Sequence, residues 1–409
     1  MPARAQRTVD EHRAEILAAI PAPEAVTVPL RDAGGYTLAA AARARVDGPA
    51  FDSSAMDGFA VHAADAALAS REAPARLRVV ADLPAGSGSD PALGPGEAAR
   101  IMTGAAVPTD ADAVVPLEHT IGGLDHTGEV EIVRRPALGA NIRRAGEDVR
   151  AGAEILPAGV RLGTLQLAAL ASAGVTEVEV AARPRVAVIS TGSELAPAGH
   201  ALTRGHIPES NVPLLAGLAE QAGAIVVHTA TVPDEVPALE RALAAAGSAR
   251  ADVVITSGGV GPGAYEVVRI ALDGPLSFVT VAMRPGRPQG FGRLPSGQLA
   301  FGLPGTPVGA AVSFEVFVRP ALLALQGRAE LQRPVLRLPA AVGWDARSGF
   351  RRYVPVAIDP SAAWAVRPAA SDGHSSVVLA TTDGFAVIPP DTVVRPGDLV
   401  DTILLGGLL

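Results

Sequence analysis

The sequence predicts a multidomain α/β protein, with one α/β domain flanked by β-rich domains. Three observations lead there. From Arg183 to about Leu325, apolar runs alternate with helix-like segments, the grammar of a parallel sheet with helices on both faces. On either side, short apolar stretches are cut up by Gly and Pro, as in small β units. At 409 residues the chain is also too long for one ordinary core, so about two to four domains are expected.

Taken in order, DEHRAEILAAI carries apolar residues at helical spacing and predicts a short helix ending at Pro21. From Val46 to Arg135 come FAVHA, RLRVVADLPAG, AARIMTGAAVP, DAVVPLEHT and GEVEIVRRP, read as the strands of a compact β domain. Residues 141–180 combine a turn-rich stretch, a helix over Leu162–Ala173 and a strand. The α/β segment then runs RVAVIST, NVPLLAGLAEQAG, AIVVHTATV, DEVPALERALAAA, ADVVITSGG, a helix from about Tyr265 to Leu272, and a closing helix over Pro307–Leu325. From about Arg333, VLRLPAAVG, RYVPVAI, FAVIPP and DLVDTILL predict another small β domain. The resulting division is 1–45 with 141–180 as a discontinuous unit, 46–140, 181–329 and 330–409; no internal repeat interrupts it.

Composition narrows the chemistry. A formal net charge of -8 argues against a protein built around nucleic-acid phosphates, leaving room only for a local basic pocket. With no cysteine there are no disulfides, thiolate nucleophiles or thiolate metal sites. The opening MPARAQRTVDEHRAE lacks the apolar run of a secretory signal, so a cytoplasmic protein is expected. The longest uncharged stretch, Leu294–Phe314, is broken by Pro295, Pro304 and Pro307, and no membrane span is expected. All 34 basic residues are arginine.

Ligands of α/β sheets sit at the carboxyl ends of strands, and two motifs fall there: STGSE (Ser190–Glu194) and TSGGVGPG (Thr256–Gly263). The latter offers backbone N–H groups to an anion at a loop leading into a helix, although an ordinary strand-to-helix turn looks the same. AMRPGRPQGFG adds Arg284 and Arg287 on a Pro-stiffened turn, suited to oxyanions or simply solvated. LPGTP, at 303–307, aims a helix N-terminus at a second anion or merely starts a Pro-initiated helix.

The order of segments says more than any one of them. FDSSAMDGFAV, RIMTGAAVPTDADAVVPLE, NIRRAGEDVRAGAEILPAGVRL, PRVAVISTGSEL, GHIPESN, DVVITSGGV, VAMRPGRPQGFG and LPGTPVGA occur together and in sequence. The chain resembles, over essentially its whole length, the MoeA family of molybdopterin molybdenumtransferases, to which a domain of gephyrin is related. The resemblance implies an elongated, L-shaped, homodimeric subunit with a Rossmann-like molybdopterin-binding domain. It implies insertion of molybdate into adenylylated molybdopterin with release of AMP, assisted by Mg²⁺, and a molybdopterin adenylyltransferase as substrate donor.

Carried over by position, Asp57, Thr103 and Asp148 match active-cleft positions, with Asp57 and Thr103 contributed across the dimer by the β-rich domain. Glu194 and Glu266 match acidic positions of the α/β domain, and both are candidate Mg²⁺ ligands because that ion takes oxygen donors. Thr191, Gly192, Ser210, Asn211, Ser257, Gly258, Gly259, Gly263, Arg284, Arg287, Pro304, Gly305 and Thr306 are the expected ligand-binding set. Taken alone, Asp57 and Asp148 read better as turn or cap residues than as site residues.

Several positions depart from the family pattern. Gly261 and Ala264 replace a serine and an acidic or polar residue, and Glu266 stands where Asp is usual. MKPGKP becomes MRPGRP, and LPGNPVSA becomes LPGTPVGA through Thr306 and Gly309. Phe350 and Pro355 occupy arginine positions, with Arg351 or Arg352 as candidate substitutes; Ser375 or Ser376 is the candidate late serine. These departures motivate a rival expectation, a noncatalytic relative acting as a dimeric protein-binding scaffold. A generic nucleotide-binding α/β enzyme leaves SAMDGFAV and RIMTGA unexplained.

Overall fold

Six strands form the sheet at the centre of the chain: β1 (Arg185–Thr191), β2 (Ile225–Val232), β3 (Val253–Ser257), β4 (Leu276–Thr280), β5 (Pro288–Arg293) and β6 (Leu299–Leu303). Their spatial order is β2-β1-β3-β6-β5-β4. β2, β1, β3 and β6 are parallel, whereas β5 runs antiparallel to both β6 and β4. The sheet is thus mixed rather than wholly parallel. The connections from β4 to β5 and from β5 to β6 are short, and a parallel crossover needs about a dozen residues or more. The computed structural model describes residues 6–121, 128–196, 199, 202–263, 266–345, 348–361, 364–369 and 376–406.

Helices α1 (Asn211–Gln221) and α4 (Pro307–Leu325) cover one face of this sheet, and α2 (Val236–Ser248) and α3 (Val267–Ala271) the other. Successive residues of β1 feed the two cores alternately: Val186 and Val188 pack with Leu215, Phe301 and Phe314, while Ala187 and Ile189 pack with Leu239, Val254 and Val268. That alternation is the period-two geometry of a strand buried on both faces. α4 contains a π turn at Phe314–Val318. By length and composition it could cross a membrane, but 83% of its most apolar window is buried inside the fold, so it serves as a core helix.

The helix Val9–Ala18 starts with a reciprocal Thr8–Glu11 capping box. Although its position in sequence groups it with the linker unit, Val9 and Ile16 join the core beneath α4, and His12 packs edge-on against Phe317 at 4.8 Å. The linker unit itself is tied together by strand pairing across a long insertion. Ala25–Pro29 pairs antiparallel with Glu177–Ala181, and Ala42–Arg43 with Glu154–Leu156. The helix Thr164–Ser172 contributes Leu170 to a core with Leu30, Leu38, Leu162 and Val180.

The insertion is a six-stranded sheet whose strands begin at Ala113, Gly58, Glu97, Ala75, Glu129 and Thr120, in spatial order, closing over Phe59, Val61, Leu77, Val115 and Ile132. The C-terminal sheet contains Arg351–Asp359, Gly384–Ile388, Leu399–Leu404 and Val335–Pro339 as adjacent strands. Its edge takes in a guest: Met283–Arg284, between β4 and β5, pairs parallel with Arg351–Arg352. The arginine turn of the α/β unit is therefore held in the C-terminal sheet.

Candidate functional site

A cavity of about 710 Å³ opens at the carboxyl ends of β1, β3 and β6. Its walls include Thr191, Gly192 and Glu194 after β1, the glycine loop after β3, and Pro304, Gly305 and Thr306 after β6. Asn211 and Pro307 place the N-termini of α1 and α4 on the same cavity, where helix dipoles favour negative charge.

Backbone contact brings the three strand ends together. A Cβ on Gly258 would lie 2.3 Å from the Thr191 carbonyl oxygen, and Gly258 has φ +95°, so only glycine fits there. Asn211 then cross-links the loops: its Nδ2 donates to Ser257 Oγ at 2.9 Å and to the Gly305 carbonyl at 2.7 Å, while Ser257 Oγ donates to the Pro304 carbonyl at 3.0 Å. Ser257 is fully buried and absent from the cavity wall, so it supports the loops rather than facing a ligand. Ser210 occupies the N-cap position of α1 without a side-chain capping bond and is likewise not part of the wall. Thr191 Oγ1 and Asn211 Oδ1 are buried and unpartnered although both residues line the cavity, leaving polar atoms for a bound ligand to satisfy.

Glu194 and Glu266 both reach the cavity. Glu266 Oε2 accepts the Gly261 N–H at 2.7 Å, and a Cβ on Gly261 would lie 2.6 Å from Oε1 of the same carboxylate. The glycine at 261 is thereby accounted for: it makes room for the longer acid. Thr306 and Gly309 show a parallel fit, since a Cβ at 309 would lie 2.5 Å from Thr306 Oγ1. Ala264, like Ser375, lies outside the described residues, as does the side chain of Ser376.

A third carboxylate on the wall, Asp234, was not picked out from sequence. It follows β2, accepts the Ser193 N–H at 3.1 Å, and in return its own N–H donates to Ser193 Oγ at 3.1 Å. The strand-end rule that selected STGSE would have found it had it been applied to HTATVPDE as well.

The arginine turn forms a further wall through Gly286 and Pro288. Gln289 fixes it: the buried amide Nε2 donates to the Gly286 carbonyl and to Ser313 Oγ, both at 2.7 Å. Arg284 is exposed, and Arg287 is half-buried with its guanidinium 4.4 Å from the centre of the Phe350 ring. Neither Arg351 nor Arg352, the candidate substitutes for the arginine expected at 350, lines the cavity. Arg351 Nη2 pairs with Asp10 at 3.0 Å, and Arg352 reaches toward the Asp345 carbonyl.

Asp57, Thr103 and Asp148 are exposed and do not line this cavity. Asp57 and Thr103 sit on adjoining loops of the inserted β unit, with Asp148 just beyond it, because Ser53–Ser54 pairs with Ile142–Arg143 and the Gly104 N–H donates to the Ser54 carbonyl. Asp57 Oδ1 accepts both the backbone N–H and the hydroxyl of Thr103 at 2.7 Å, and these bonds hold its pKa below the usual aspartate value. Asp148 pairs with Arg143.

Known proteins share this architecture. Residues 7–174 match the MoeA N-terminal region (domain I and II), 187–324 a probable molybdopterin binding domain, and 337–405 the MoeA C-terminal region (domain IV). The chain belongs to the MoeA family. Among its MoeA relatives, "Molybdopterin molybdenumtransferase 2" of Mycobacterium tuberculosis is 42% identical, over 95% of this chain and 96% of that one. The molybdopterin molybdenumtransferase of Haemophilus influenzae is 34% identical over 84% and 85%. A crystal structure of the MoeA molybdopterin biosynthesis protein from Pyrococcus horikoshii superposes with a TM-score of 0.82 at 27% identity, covering 98% of this chain and 100% of that one. The multidomain MoeA fold expected from sequence is therefore the fold of this chain.

Proposed function

We propose that this chain is a molybdopterin molybdenumtransferase of molybdenum cofactor biosynthesis, taking adenylylated molybdopterin and molybdate as substrates and releasing AMP. The observation that carries the proposal is the cavity at the strand ends: a glycine loop, two helix N-termini, three carboxylates and an arginine turn around one space of about 710 Å³. In this reading the N–H groups of Gly259, Val260 and Gly263 and the start of α4 hold the dinucleotide phosphates, those of Gly258 and Gly261 being taken by the Leu303 carbonyl and Glu266, while Thr191 and Asn211 satisfy its polar groups and Arg284 and Arg287 receive molybdate.

The donor set also fits Mg²⁺, which takes one or two carboxylates and completes its shell with water and phosphate oxygens. Glu194 and Glu266 are the residues that would hold it; among the described residues no three acids or histidines converge as a metal cluster. Once bound, the ion would neutralise charge building on the pyrophosphate as AMP leaves.

The reading extends to the assembly. The domains are 1–45 with 141–180, 46–140, 181–329 and 330–409. The subunit works as a cytoplasmic homodimer supplied by a molybdopterin adenylyltransferase, with Asp57, Thr103 and Asp148 of one copy facing the cavity of the other. The rival scaffold reading draws no support from the relatives, which are named as transferases. Two of the departures that motivated it are matched within the site, Gly261 by Glu266 and Gly309 by Thr306. The test is purified chain with adenylylated molybdopterin, molybdate and Mg²⁺: AMP release with cofactor formation is expected, and their absence would reject the proposal.

A further inference from the structure

Arg287 is an arginine with two constraints and no acid. Its guanidinium faces the Phe350 ring at 4.4 Å, its Nε is buried without a partner, and among the described residues no carboxylate lies within ion-pair distance of it. Its neighbours Gly286 and Pro288 line the cavity, while Arg287 itself lies beside that wall and is not one of the lining residues. With one face against an aromatic ring and Nε enclosed, the two Nη groups are the donors left without a partner among the described residues, and their planar fork suits two-pronged recognition of an oxyanion.

Phe350 is brought there by tertiary structure. The pairing of Met283–Arg284 with Arg351–Arg352 sets the residue before that strand beside the residues after the turn. The Phe350 backbone is itself held: its N–H donates to the Ser348 carbonyl, and its carbonyl accepts Ser348 Oγ at 3.1 Å.

We propose that Phe350 is a positioning residue for Arg287, its ring acting as a platform that orients the guanidinium edge toward molybdate and so sets the affinity for that substrate. The proposal rests on the transferase reading above. An aromatic platform restricts the cation's orientations without competing for its N–H donors, unlike a carboxylate, which would occupy them.

The experiment is AMP release by the full chain with adenylylated molybdopterin and Mg²⁺, titrated with molybdate. Phe350→Leu keeps apolar bulk but removes the π face; it should raise the molybdate KM by about three- to thirtyfold, the range of a cation–π contact, with kcat changed less than about twofold. Phe350→Tyr should stay within about twofold of the parent KM. Arg287→Gln supplies the control, with a KM increase at least as large as that of Phe350→Leu.

If Arg287→Gln raises KM while Phe350→Leu does not, the platform is overturned and the transferase reading stands. Equal losses in Phe350→Leu and Phe350→Tyr also overturn it, because they point to shape alone. If Arg287→Gln leaves KM unchanged in an active enzyme, Arg287 does not hold molybdate and the platform falls with it. An inactive parent chain rejects the transferase reading itself. Should Phe350→Leu fail to fold, Phe350→Met replaces it with the same expectation.

Discussion

Restoring the family's serine at position 261 should damage this protein. Gly261 has no positive φ, so a side chain meets no conformational penalty there; the obstacle is Glu266, whose Oε1 lies 2.6 Å from where the Cβ would be. That oxygen ends a flexible side chain, so Gly261→Ser displaces the carboxylate rather than the backbone. The cost is the 2.7 Å bond from the Gly261 N–H to Glu266. Hydrogen bonds to charged groups are worth about 1.5–3 kcal/mol, and Glu266 is only half-buried, so about 1–2 kcal/mol is appropriate. The lost glycine returns about 0.4–1 kcal/mol through the unfolded chain, so global stability should fall by less than about 2 kcal/mol. Activity has no such offset. If the cavity needs this loop shape, kcat/KM for AMP release should fall by about five- to thirtyfold. Introducing Glu266→Asp into the Gly261→Ser background shortens the acid by one methylene and should recover most of the loss, a coupling of about 1 kcal/mol in a double-mutant cycle. Strict additivity of the two substitutions, or an unaffected kcat/KM in Gly261→Ser, would refute the steric argument.

Three other expectations follow from buried polar groups. His12 is 2% exposed, and burial, with a smaller contribution from the Arg7 charge, lowers its pKa from 6.5 to about 4. Between those values the unfolded chain binds the proton and the native chain does not, so stability falls as pH drops from about 6.5 toward 4, by about 3 kcal/mol in total. Urea unfolding across that range should show the slope, and His12→Leu should flatten it. Glu315, 6% exposed, accepts Arg333 Nε at 3.0 Å on both oxygens and lies near Arg319; burial nonetheless raises its pKa. Arg333→Met should therefore cost about 3 kcal/mol in chemical denaturation by stranding the acid, and Glu315→Gln in that background should recover part of it. Asn211→Ala removes the bonds to Ser257 and Gly305 and should lower stability by about 1–3 kcal/mol, with a larger loss of kcat/KM than of Tm would predict, because the two loops form the cavity wall.

Sequence alone determined the local grammar of this protein and pointed to the strand ends where the candidate cavity lies. Strand and helix periodicity located the α/β unit, and the five β segments between Val46 and Arg135 all contribute strands to one sheet. The glycine loop was read as a bed for an anion or a tight turn, and STGSE, TSGGVGPG and LPGTP do meet on one cavity. Such features are legible because a motif reports what its own backbone needs: a period, a positive φ, a helix start.

Tertiary structure decided which side chains serve which partners. Asn211 meets Gly305 across 94 residues, Ser257 turns into the loops instead of the cavity, and Asp234 joins the wall from a strand whose end carries no glycine motif. Arg351 pairs with Asp10 across 341 residues, and Phe350 became a partner of Arg287 only through the pairing of Met283–Arg284 with the C-terminal sheet. Gly261 reads as a loss in sequence and as space for Glu266 in three dimensions. The physical reason is common to all of these: hydrogen bonds, stacking and steric fit act over a few ångströms, and only the packed chain brings residues this far apart in sequence within that reach.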